Sequence, residues 1–156
     1  MRLQFDHAAL PIYDVEATHA FYTGVLGLPL TSAIEGGDWG GRPWLMMIFA
    51  LGDGRELALI RLKDMPRPPA GDLPADARHY AFAASSAEEL AIWKAKIAKS
   101  AARHWTEDHG TQQSIYFEDP NGLILEITFP ASPAVTSPNS SAYGVIEKWM
   151  RSAGRH

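Results

Sequence analysis

Two histidines stand at the head of apolar, strand-like runs, His7 in "DHAAL" and His79 in "HYAF", in a chain with only six histidines. A single carboxylate, Glu126, sits inside another apolar run, flanked by Leu123, Ile124, Leu125 and Ile127. An unpaired carboxylate buried in such a strand costs several kcal/mol, so the position calls for a partner or a metal. Two imidazoles and one carboxylate form a facial triad suited to a divalent transition metal, with open positions left for water, substrate or dioxygen. Such an ion can polarise a carbonyl, stabilise an enediolate or bind a deprotonated diol.

One way for residues this far apart to meet is a chain of two units that resemble each other, each supplying a ligand to a shared site. The first half reads as a strand over "LQFDHAALPI" and a helix over "DVEATHAFYTGVLGL", then strands near 28–34, 43–51 and 54–62. Asp14 is the expected N-cap of that helix, Ala17, Phe21 and Val25 its apolar stripe, and Gly27 its stop. The Pro- and Gly-rich stretch 63–77 is a linker, after which the order begins again. "RHYAFAA" is the next strand, and "SSAEELAIWKAKIAKS" a helix with a capping box between Ser85 and Glu88 and an apolar face of Leu90, Trp93 and Ile97. Strands near 102–106, "QSIYFED" and "LILEITF" follow, with "DPNG" as the last turn. The expected fold is α+β, two βαβββ modules at about 3–62 and 78–130 within one domain over 1–130. Residues 131–156 add a loop and a helix whose apolar face is Val145, Ile146, Trp149 and Met150.

Overlaying the two halves puts His7 and His79 at matching places on their first strands. Matching Gly54 to Gly122 sets Ala58 opposite Glu126. Composition bounds the partners. A formal charge of -4 with no Lys/Arg cluster argues against nucleic acid, and the absence of cysteine removes disulfides and thiolate ligands. No apolar run reaches the roughly 20 residues needed to span a bilayer. The N-terminus shows no signal-peptide pattern, so the expected location is the cytoplasm.

The segments "DHAALPIYDVEATHAFYTGVLGLPL", "HYAF" and "SIYFEDPNGLILEI" resemble the vicinal oxygen chelate superfamily, which includes glyoxalase I, extradiol dioxygenases, fosfomycin-resistance transferases and bleomycin-binding proteins. The resemblance covers about residues 3–130. It implies a cupped mixed sheet around a divalent metal (Fe, Mn, Zn or Ni) held by His7, His79 and Glu126. It also implies a homodimer in which the cup is shared and His7 comes from the other subunit. The implied activity is that of a metal-dependent dioxygenase or glyoxalase-type lyase acting on vicinal oxygens of a small molecule. The alternatives are a metal-free binding protein of the bleomycin-resistance type and a fosfomycin-type thiol transferase.

Against the transferase stand Ala9, where that group carries a threonine, and Thr106, where its phosphonate-binding lysine would fall. Glyoxalase I enzymes draw a fourth ligand from the position of Ala58, which cannot bind metal; Glu56, two residues away on the same face, is the substitute candidate. Extradiol dioxygenases carry a tyrosine ten residues before the glutamate, a spacing met by Tyr116, and a nearby histidine acid/base, for which His109 and His104 are the candidates. Arg42 and Trp44, at the head of a strand lining the implied cup, are candidates for holding an anionic or aromatic substrate.

Overall fold

The computed structural model describes residues 4–69, 74–133 and 140–153. Strand β1 (His7–Pro11) leads through the N-cap Asp14, whose carboxylate accepts from the Ala17 amide at 2.9 Å, into α1 (Val15–Ala20). The helix runs on as a π-helical turn, Phe21–Val25, closed by the Leu26 amide on the Phe21 carbonyl at 3.0 Å. This wider turn moves burial off the expected stripe. Thr18, Phe21, Tyr22 and Leu26 are buried, while Ala17 and Val25 are only half-buried. Gly27 ends the segment with φ +72°, a region that a Cβ disfavours. Strands β2 (Leu30–Gly36), β3 (Trp44–Ala50) and β4 (Glu56–Leu62) complete the first module.

The second module repeats the order with β5 (His79–Ala83), α2 (Ala87–Ala98), β6 (His104–Asp108), β7 (Gln113–Glu118) and β8 (Ile124–Phe129). The cap of α2 lies one residue later than expected. Ser86 accepts from the Glu89 amide at 3.1 Å, and Glu89 reaches back to the Ser85 amide at 2.6 Å. The hydrogen bonds from the Ser85 hydroxyl and amide hold Glu89 below the usual carboxylate range. Each module forms a four-stranded sheet, in the orders β1-β4-β3-β2 and β5-β8-β7-β6, with the first strand parallel to the last and the other pairs antiparallel.

Strand alternation separates two faces in each sheet. Leu10, Leu57, Leu59, Met47 and Phe49 from one sheet join Ile115, Phe117, Leu125 and Ile127 from the other, with both helices, in one hydrophobic core. Full burial of each such side chain contributes about 1.5–3 kcal/mol. The opposite faces begin with the exposed His7 and Ala9 in one module and the exposed His79 and Ala81 in the other.

The "DPNG" turn ties the modules together. The Asn121 side-chain oxygen accepts from the Tyr13 amide at 2.7 Å, and its NH2 donates to Thr18 Oγ1 at 2.9 Å and Asp119 Oδ2 at 3.0 Å. Asp119 also accepts from the Tyr22 hydroxyl at 3.2 Å. Burial, then the Asp119 charge and this hydrogen bond, push the Tyr22 phenol well above its ordinary value of 10.0. Above pH 10 the unfolded chain therefore releases a proton that the folded chain keeps, and the free energy of unfolding falls as pH rises. Urea melts at pH 9, 10 and 11 are expected to show this loss, with a shallower slope in Tyr22→Phe. Parallel slopes would argue against it.

The C-terminal helix α3 (Ser140–Ala153) forms as expected, with Val145, Ile146, Trp149 and Met150 55–73% exposed.

Candidate functional site

Register places the two modules in the equivalence read from the overlay. In the first, His7 pairs with Glu56 and Ala9 with Ala58; in the second, His79 pairs with Ile124 and Ala81 with Glu126. Ala58 therefore holds the Glu126 position, without the slip that would bring Glu56 there. The left-handed glycines of the two turns, Gly54 (φ 83°) and Gly122 (φ 82°), match as well.

Glu126 is 6% exposed, in the middle of the face opposite the core. Its Oε2 lies 3.0 Å from His79 Nε2, and its Oε1 accepts from the Ser114 hydroxyl at 2.5 Å. The other ring nitrogen of His79, Nδ1, is 2.7 Å from the Asp76 carbonyl. A carbonyl can only accept, so Nδ1 carries the proton, and in a neutral ring Nε2 presents a bare lone pair. A lone pair facing a carboxylate oxygen at 3.0 Å is repulsive unless a cation or a second proton lies there. His7 is held alike, its Nδ1 2.6 Å from the Asp6 carboxylate, which leaves its Nε2 open. Histidine ligands to metals are commonly oriented through the far nitrogen in this way.

Around this pair the alternation of β6 and β7 arranges a polar floor. Tyr116 is adjacent in register to Glu126 and to Trp105, whose indole stacks on its ring at 5.3 Å and 11°. The His79 ring meets Tyr116 edge-on at 5.4 Å. His109 Nε2 lies 3.3 Å from the Tyr116 hydroxyl and 3.7 Å from Glu107, which also accepts from Trp105 Nε1 at 2.9 Å. Burial, then the Glu126 charge, pushes the Tyr116 phenol from 10.0 up to about 12. At neutral pH it stays protonated, a hydrogen-bond donor and not a base.

The structure thus brings together His79, Glu126, Tyr116 and His109. Ser114, Trp105 and Glu107 join them unanticipated: Ser114 is two residues from Tyr116, Trp105 pairs with Tyr116, and Glu107 pairs with Ser114. His104 is set apart. It pairs with Phe117, a core residue, so it lies on the opposite face of β6 from Trp105, and its Nδ1 is 3.0 Å from the Ala102 carbonyl. Thr106 shares that face. Arg42 stands two residues before Trp44 and is exposed, and its Nη1 donates to the Lys63 carbonyl at 3.1 Å.

His7 belongs to the other sheet, and among the described residues no three His, Cys, Asp or Glu side chains converge within one chain. Two surface cavities of about 400 and 360 Å³ are lined by neither His79, Tyr116 nor Glu126.

Solved structures share this fold. A glyoxylase/bleomycin resistance protein/dioxygenase domain from Frankia sp. EAN1pec superimposes with a TM-score of 0.64 at 18% identity, covering 82% of this chain and 98% of that one. The fosfomycin resistance protein FosX from Listeria monocytogenes, solved with Mn(II) and sulfate, gives 0.60 at 19% identity over 82% and 93%. Lactoylglutathione lyase from Agrobacterium tumefaciens gives 0.56 at 22% over 80% and 92%. No curated sequence matches this chain. Residues 4–127, nearly the whole of both modules, match the family model, and the chain belongs to the Glyoxalase/Bleomycin resistance protein/Dioxygenase superfamily.

Proposed function

We propose that this chain is a metal-dependent enzyme that chelates vicinal oxygens of a small substrate at His79 and Glu126, with His7 supplied by a second copy in a homodimer. The observation that carries this reading is the His79–Glu126 pair, whose Nε2 and Oε2 converge at 3.0 Å while Nδ1 is committed to the Asp76 carbonyl. A second proton on His79 would make the pair a simple ion bridge, and metal titration separates the two cases. FosX, of the same fold, was solved with Mn(II). A divalent ion bound here would supply a Lewis acid for the substrate's oxygens.

The protein's own residues do the rest. Ser114 fixes one oxygen of Glu126 and turns the other outward. Tyr116, kept protonated, donates a hydrogen bond to a substrate oxygen as negative charge develops on it. His109, within reach of the Tyr116 hydroxyl and open to solvent, takes or returns the substrate proton. Trp105, stacked on Tyr116, keeps water from one side of that hydroxyl. This constellation suits a ring-cleaving oxygenation or a glyoxalase-type proton transfer. Oxygen uptake with catechols would select the first, and loss of the methylglyoxal–glutathione adduct the second.

The shared site has its own test. His7→Ala and Glu126→Gln, purified separately, are each expected to lose bound Mn(II). Mixed and allowed to exchange subunits, they should regain roughly a quarter of the wild-type metal, since random pairing restores one intact site in half of the dimers. No recovery in the mixture, or a monomer that retains metal, would overturn the arrangement.

A further inference from the structure

The face of the first sheet that bears His7 continues, by register, as Ala9–Ala58–Ile48–Ser32, then Pro11–Ile60–Met46–Ile34, then Leu62–Trp44–Gly36. These rows contain no lysine or arginine. Where the second module has Glu126 this face has Ala58, and its neighbours across the sheet are aliphatic: Ile48, Met46 and Ile60 are half-buried and Ile34 is 47% exposed. The run ends in an aromatic corner.

That corner is built by glycine. A Cβ on Gly36 would lie 2.5–2.7 Å from the Trp44 indole, so only glycine lets the ring lie against the strand beside it. The hairpin beyond returns Trp39 to the same place, closed by the Trp39 amide on the Arg42 carbonyl at 2.8 Å and the Gly41 amide on Asp38 at 2.7 Å. Gly40 and Gly41 take φ values of +61° and +83° there. Trp39 and Trp44 meet edge to face at 5.5 Å and 90°. Trp44 stands four residues along β3 from Ile48, about 13 Å of strand, room for a ring beyond the chelating oxygens.

We propose that Trp39 and Trp44 form the aromatic end of the substrate groove, and that the substrate carries a ring-bearing arm running from its vicinal oxygens along Ile48, Met46 and Ile60 to that pair. The proposal rests on the shared, metal-chelating cup, in which this face closes over the Glu126 face of a second copy. The occupant is assigned by chemistry. Two indoles at right angles offer a face and an edge to a ring.

The test uses Mn(II)-loaded full-length protein and two probes, catechol and 4-phenylcatechol, compared by calorimetric titration. The phenyl compound is expected to bind at least about tenfold tighter, a difference of about 1.4 kcal/mol. That gain should fall below about threefold in Trp39→Ala and in Gly36→Ala, which displaces Trp44, with catechol affinity unchanged and the melting temperature confirming that both variants fold. Catechol binding without a phenyl gain, or a gain that survives both substitutions, overturns the aromatic corner and leaves chelation standing. Failure of both probes on the metal-loaded protein overturns chelation and the groove together. Variants that turn a dimer into a monomer would assign the corner to contact between copies instead, and overturn it as a substrate site.

Discussion

Glu126→Gln is expected to lower Mn(II) affinity more than about 100-fold, since outer partners of metal ligands alone are worth 10–100-fold. The substitution preserves shape and can keep the contact to Ser114. It removes the charge that holds a divalent ion and sets an amide N–H where Oε2 now faces His79 Nε2. The imidazole lone pair is then capped by a donor, and the pair no longer calls for a cation. Because the side chain is hydrogen-bonded before and after, the melting temperature should stay close to wild type. Ser114→Ala is the graded companion, costing metal affinity roughly tenfold by freeing one carboxylate oxygen to turn. Equilibrium dialysis with Mn(II) measures both. Unchanged metal content in Glu126→Gln, or a wild-type protein that takes up none, would make the His79–Glu126 contact a plain ion bridge and favour a binding protein that performs no chemistry.

The repeat was legible because its landmarks are backbone requirements. Gly54 and Gly122 both need left-handed φ at the turn before a final strand, and aligning them brings Ala58 onto Glu126 without reference to any side-chain contact. The candidate ligands followed for the same reason, since a charged residue inside an apolar strand stands out against its neighbours. Facing was harder to read. The strand holding His104 was expected two residues too early, and face assignment depends on where the strand begins and how it pairs, so His104 and His109 were indistinguishable until pairing with Phe117 put the first on the core side. The α2 cap slipped by one because "SSAEE" offers two serines and two glutamates in succession. The extra residue of the π-helical turn, which brings Tyr22 and Leu26 into the core beside Phe21, has no signature that periodicity detects. Arg42 was a candidate by position alone, and only the Lys63 carbonyl shows where its guanidinium goes.

Least visible of all was what "DPNG" does beyond turning, and Asn121→Ala is expected to expose it with a loss of about 3 kcal/mol. The side chain is 7% exposed and uses both ends: its oxygen accepts from the Tyr13 and Asp14 amides at 2.7 and 3.3 Å, and its NH2 serves Thr18 and Asp119. Alanine leaves the Tyr13 amide and the Thr18 hydroxyl without this partner in a part of the molecule too tight to hydrate freely, which costs more than the hydrogen bonds are worth net. For a chain of this size the loss corresponds to a fall in melting temperature of roughly 6–12 °C. The consequence reaches the site, because this knot is the polar link between the β1–α1 joint, which follows His7, and the β7–β8 turn, which precedes Glu126. It joins the end of β1 and the start of α1 to the turn that leads into β8. If the cup is shared between copies, Asn121→Ala should weaken Mn(II) binding below the melting transition as well, while Thr23→Ala, removing an exposed hydroxyl bonded to the His19 carbonyl on the same helical segment, should do neither. A stability loss under about 1 kcal/mol would reduce the knot to an ordinary turn. A full loss with metal affinity intact would show that the two modules hold their ligands independently of the joint between them.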